Sequence, residues 1–158
     1  MLSLQGMFDL GYAPVMKTIE RVVAVNKPAA QVWDYLSDFR STNDWDPGTK
    51  QTTRESGDGG VGTVYKNISE FAGKEVEIIY TVTDVTPGES YTLVGETDAL
   101  TSTDTITVSG TDATAEVTYR AEFEFHGLTK LADPFMGPPL KKLGDDAQEQ
   151  LQQALEKL

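Results

Sequence analysis

The chain has 158 residues, one histidine, no cysteine and a formal net charge of −12. With a pI near 4.4 and no cluster of lysine and arginine, it is not built to hold a phosphate backbone, which argues against nucleic acid as a partner. The missing thiols exclude disulfide scaffolds, thiolate metal sites and cysteine nucleophiles, and no apolar run approaches the ~20 residues needed to cross a bilayer.

Hydrophobic residues make up 39% and charged residues 24% of the chain, the balance of a soluble globular domain, and the length suits one core. Residues 1–16 lack a basic n-region and a compact apolar run, so they fail as a secretory signal. They are expected to form a flexible N-terminal extension, with a single domain over 17–158 and a cytoplasmic location.

Taken in order, 18–26 is rich in β-branched residues and predicts a first strand, with Ile19, Val23 and Val25 on one face if the alternation slips near Arg21. Asn26 then stands as an N-cap, Pro28 occupies a first turn, and Val32, Trp33, Leu36 and Phe39 follow at helical spacing. A second short helical turn is signalled before Trp45-Asp46-Pro47-Gly48, where Pro47 forces extension. Strands are predicted over 49–55, 61–71, 74–85, 90–97, 102–109 and 113–126, divided by Gly, Pro and Asp turns, with a hairpin across Ala72-Gly73.

The last of these strands has the clearest phase, with Val117, Tyr119, Ala121, Phe123 and Phe125 on one face and Thr118, Arg120, Glu122, Glu124 and His126 on the other. From 139 to 158, Leu140, Leu143, Ala147, Leu151, Ala154, Leu155 and Leu158 recur three or four residues apart and draw one apolar stripe along a helix. Seven strands, two short helices after the first strand and a long C-terminal helix give an α+β fold, a curved antiparallel sheet wrapped around that helix.

Several words in this order resemble the START/Bet v 1-like superfamily of helix-grip proteins, and within it the polyketide cyclase/dehydrase-like branch. They are Val32-Trp33-Asp34-Tyr35-Leu36-Ser37-Asp38-Phe39 followed by Trp45-Asp46-Pro47, Gly62-Thr63-Val64-Tyr65 leading to Phe71-Ala72-Gly73-Lys74, and Ala115-Glu116-Val117-Thr118-Tyr119. The resemblance runs from about residue 17 to the C-terminus. It implies a cavity between sheet and long helix, which family members use for lipids, sterols, polyketides, quinones and hormones; it does not imply one activity.

The lining must therefore be argued residue by residue. His126, the lone histidine, falls on the outward phase and is expected at the surface, and one histidine without paired carboxylates predicts no metal site. Arg120, also outward, is expected to pair with glutamates across strands. Asp104 shares parity with Ile106 and Val108: either it points into the cavity, where burial raises its pKa, or it begins the strand exposed.

The aromatics carry more weight. Trp33, Trp45, Tyr80, Tyr91, Tyr119, Phe123 and Phe125, with Ile78, Leu93, Ile106 and Leu143, are the expected ligand-binding residues. Two readings stand, a wall around a flat, largely apolar ligand and a solid core. Apolar residues beside the broken stretch before the helix suggest a lid in which Phe135, Met136 and Leu140 gate the mouth.

The first expectation is a carrier or binding protein for a small hydrophobic molecule, monomer or homodimer, with no cofactor and no metal. The second is a polyketide cyclase or dehydratase with Tyr80, Tyr119 or Asp104 as polarising groups. The third is a partner-binding module whose grip is filled by its own side chains.

Overall fold

A period-two alternation of apolar and polar residues accounts for most of the molecule. The computed structural model describes residues 15–71, 73–126 and 137–158. Seven strands, β1 (Val15–Val25), β2 (Thr49–Ser56), β3 (Val64–Phe71), β4 (Lys74–Thr86), β5 (Ser90–Glu96), β6 (Leu100–Gly110) and β7 (Ala115–Phe125), form one antiparallel sheet in the order β1-β7-β6-β5-β4-β3-β2. Helices α1 (Ala29–Leu36), α2 (Thr42–Trp45) and α3 (Gly137–Glu156), with a 3-10 turn over Phe39–Ser41, complete the α+β arrangement. Residues 1–14 of the expected extension, and Phe135 and Met136 of the expected lid, lie outside the described residues.

The slip expected near Arg21 is absent, and β1 pairs with β7 residue for residue from Val15↔Phe125 to Val25↔Ala115. Arg21 therefore shares the face of Ile19 and Val23, and α3 absorbs it: the guanidinium donates to Asp145 Oδ1 from Nε and Nη2 at 3.2 and 2.9 Å and to the Lys141 carbonyl. The helix packs chiefly on β1 and α2 rather than across β7. Gln148 and Gln152, on the polar side of the stripe, donate to the carbonyls of Val22 and Ala24, each at 2.9 Å. They satisfy backbone acceptors that an edge strand would leave open. Close packing requires Gly144, since a Cβ there would lie 2.7 Å from Arg21 Nη2 and 2.8 Å from Ile19 Cγ2.

Three local boundaries differ from expectation. Asn26 does not cap α1; Pro28 precedes the helix in an extended conformation, and the Ala29 N–H is taken by the Thr111 carbonyl of the β6–β7 turn at 2.9 Å. The helix stops at Leu36 instead of reaching Phe39, because Asp38 accepts from the Arg40 N–H and starts the 3-10 turn. At the other end α3 begins at Gly137, with Pro138 and Pro139 in the first turn, where a missing N–H costs nothing.

Candidate functional site

The inward phase of β4, β5, β6 and β7 brings most of the predicted ligand-binding residues into one buried cluster. Trp45, Ile78, Tyr80, Tyr91, Leu93, Ile106 and Tyr119 belong to it, and Trp33 and Phe123 pack against it half-buried. Trp33 meets Tyr91 edge-on at 6.0 Å, Trp45 meets Tyr119 edge-on at 5.1 Å, and Phe39, expected at helical spacing after Leu36 and found in the 3-10 turn, sits 5.0 Å from Tyr80 and 5.7 Å from Tyr65. Offset and edge-on pairs of this kind suit the ring quadrupole. Phe125 and Leu140 are buried outside this cluster and Leu143 is half-buried. Phe123 stacks on Phe125 at 6.3 Å.

One glycine sets the position of Tyr80. Gly95 is its register partner on β5, and a Cβ there would fall 2.5 Å from Ile78 Cγ2 and 2.7 Å from Tyr80 Cε1. The ring thus lies across the bare backbone of β5, on the side of Ser102, the register partner of Gly95 on β6.

Asp104 is the chemical centre of this wall. It is 4% exposed, so the inward alternative is the one observed. Ser102 Oγ donates to its Oδ1 at 2.7 Å and Tyr119 Oη to its Oδ2 at 3.0 Å. Among the described residues no guanidinium or ammonium pairs with it. Desolvation pushes its pKa up to about 7, against the pull of the two hydroxyl donors and with a further push from the charge of Asp46. Near neutral pH the carboxyl therefore exists in both states, as a hydrogen-bond donor or as a base. Burial, and then the Asp104 charge, raise the Tyr119 and Tyr80 phenols well above the usual value and keep them protonated donors.

A second polar cluster, which sequence reasoning did not single out, ties α2 to β2 and β3. Asn67, buried on β3, donates from Nδ2 to Thr49 Oγ1 at 2.9 Å and Thr52 Oγ1 at 2.8 Å, and accepts from Ser69 Oγ at Oδ1. Thr42 Oγ1 donates to the Phe39 carbonyl, so the 2.7 Å contact between Thr52 and Thr42 runs from Thr52 to Thr42. Thr49 Oγ1 in turn donates to Asp46 Oδ2 at 2.8 Å, and the Gly48 N–H donates to Asp46 Oδ1 at 3.0 Å. Desolvation raises the Asp46 pKa against these two donors. Shared parity of Ser102 with Asp104, and of Asn67 with Tyr65, was the available signal in the sequence.

Away from the wall, His126 is exposed, its Nε2 2.8 Å from Thr101 Oγ1. Arg120 pairs with Glu20 across β1 and with Glu122 on its own strand. A cleft of about 440 Å³ opens where β1, the β6–β7 turn and the end of α3 meet, lined by Lys27, Glu116, Gln152 and Glu156 among others; none of the predicted ligand-binding residues borders it.

A curved seven-stranded sheet closed by a long C-terminal helix, with two short helices after β1, defines a helix-grip protein of the START/Bet v 1-like class. The family model described as polyketide cyclase/dehydrase and lipid transport matches residues 16–156, and the chain belongs to that family. Solved structures with this fold include the Zhui aromatase/cyclase from Streptomyces sp. R1128, at 14% identity, 90% of this chain, 95% of that one and a TM-score of 0.74. A START superfamily protein from Mycobacterium smegmatis is 18% identical over 89% of this chain and 94% of its own, with a TM-score of 0.65. Norcoclaurine synthase from Thalictrum flavum is 18% identical over 94% and 91%, with a TM-score of 0.58. No curated protein matches the chain. Among the described residues no helix is long and apolar enough to cross a membrane.

Proposed function

We infer that the chain is a cytoplasmic protein that binds a small hydrophobic molecule bearing oxygen functions between the inner face of the sheet and α3. The observation that carries this reading is the buried cluster of Trp45, Tyr80, Tyr91 and Tyr119 packed about a carboxyl, Asp104, that no cation among the described residues balances. Apolar faces hold a flat or chain-like body, and a few placed hydroxyls orient it. Membership of a family described by cyclisation, dehydration and lipid transport supports the same reading. Native mass spectrometry of the purified protein, compared with the denatured protein, tests it. Extra mass that disappears on denaturation is the expected result; no extra mass, and no response to a panel of flat hydrophobic probes, overturns it.

A second reading, a cyclase or dehydratase acting on the bound molecule, is favoured by the state of Asp104. A carboxyl poised near neutrality takes a proton from a carbon beside a carbonyl and returns one to a leaving hydroxyl, while the Tyr80 phenol polarises the carbonyl oxygen. Under this reading Asp104→Asn keeps ligand binding within a few-fold and abolishes turnover, and the wild-type rate falls as pH drops below about 7. A wild-type rate no faster than the uncatalysed one would return the protein to the carrier reading.

A further inference from the structure

At the opposite end of the inner face from Asp104, two buried polar atoms have no partner among the described residues: Arg54 Nε on β2 and Tyr65 Oη on β3. Arg54 and Tyr65 are register partners on the same face, with the guanidinium carbon 6.0 Å from the ring centroid. Tyr65 is 0% exposed. Leaving such groups unpaired in a folded interior costs free energy, and native structures rarely leave two side by side without use.

The local charge count is uneven. Arg54 and Arg40 share one carboxylate, Asp38, and Arg40 holds it with Nε at 3.0 Å to both oxygens, with Nη2 and with its backbone N–H. Arg54 reaches the same carboxylate only through Nη2 at 3.3 Å. In a chain of net charge −12, two guanidinium groups here share one carboxylate among the described residues, and the Arg54 side chain is 27% exposed with its Nε buried and its guanidinium carbon over the Tyr65 ring.

We propose that Arg54 Nε and Tyr65 Oη form a carboxylate subsite, so that the hydrophobic ligand is a monocarboxylic acid anchored here with its body along the aromatic wall. Two donors and the single net positive charge of the Arg40, Asp38 and Arg54 group match the two oxygens and single charge of a carboxylate, whereas a phosphate dianion asks for more of both. The subsite rests on the reading that the grip holds a small hydrophobic ligand, and it names that ligand's chemical class.

The test compares acids with their own methyl esters, 2-naphthoate with methyl 2-naphthoate and hexadecanoate with methyl hexadecanoate, by calorimetry and by tryptophan fluorescence. For at least one pair the acid is expected to bind wild type roughly tenfold or more tighter than the ester, the value of a charge-assisted hydrogen bond. Arg54→Gln brings the acid-to-ester affinity ratio close to one, and Tyr65→Phe reduces the ratio several-fold. Arg54→Lys, which keeps the charge but loses the planar donor, gives an intermediate value and guards against loss of folding. Acids and esters bound equally well by wild type would overturn the subsite and leave the ligand-binding reading intact. No binding of any acid or ester would overturn both.

Discussion

The two buried polar clusters of the inner wall use similar residues to opposite ends. Around Asn67 every side-chain donor has an assigned acceptor, and the chain of hydroxyls runs in one direction from Asn67 through Thr52 and Thr42 to the Phe39 carbonyl. Around Asp104 two hydroxyls converge on a carboxyl that no cation among the described residues balances. A saturated network in low dielectric rigidifies, because each bond polarises the next and no group remains to be satisfied. A carboxyl held by donors alone is left poised between two protonation states. The first cluster is therefore a staple and the second a titratable point, the kind of local departure from full satisfaction on which the proposed function rests.

Breaking the staple gives the largest effect. Asn67→Leu keeps the volume but strips Thr49, Thr52 and Ser69 of their partner in a buried setting, and is expected to cost about 3–5 kcal/mol. Urea denaturation checks it; a loss under about 1 kcal/mol would mean that water readily replaces the amide.

Neutralising the titratable point acts in the other direction. The Asp104 pKa is raised from 3.8 to about 7 by folding, so between those values the unfolded chain releases a proton that the folded one keeps. Stability therefore falls as pH rises through this window and levels off above it. Asp104→Asn removes the loss: near pH 4 variant and wild type are expected to be similar, and at pH 8 the variant is the more stable by on the order of 4 kcal/mol. A stability difference that does not change with pH would show that Asp104 ionises as freely in the folded chain as in the unfolded one.

These two clusters were not equally legible in the sequence. The inward phase of Tyr119, Phe123 and Phe125, and the parity of Asp104 with Ile106, follow from alternation within one strand, and alternation is local. The Asn67 staple depends on Thr52 lying opposite Asn67 and on a one-turn helix bringing Thr42 over both, facts of register and docking that no single stretch encodes. The unbroken register at Arg21 is hidden from the sequence for the same reason. A charged residue on an inward phase looks like a break in the pattern until α3 supplies Asp145 and the Lys141 carbonyl.

The placement of Tyr80 beside Ser102 can be perturbed without touching either residue. Gly95→Ala puts a methyl against Ile78 Cγ2 and the Tyr80 ring, and overpacking of this kind costs about 1–3 kcal/mol. The shift also carries the Tyr80 hydroxyl away from the Asp104 cluster, so bound ligand is expected to weaken while the Asn67 network stays intact. Protection of the Asn67 and Thr52 amides from hydrogen exchange, unchanged relative to the rest of β3, would separate the two clusters.

The smallest effect is also the one that links them. Asp46 accepts from Thr49 at the end of the staple, and its charge adds to the upward push on Asp104, though less than desolvation does. Asp46→Asn removes that charge, so Asp104 titrates at lower pH and its destabilising ionisation costs less. The variant also loses an acceptor, for about 1 kcal/mol, which would mask the change in a single measurement. A double-mutant cycle removes the mask, because the cost of the lost acceptor is common to both arms. The stability gained at pH 8 on replacing Asp104 by Asn is expected to be smaller in the Asp46→Asn background than in wild type. An equal gain in both backgrounds would mean that the staple and the titratable carboxyl share a wall but not a field.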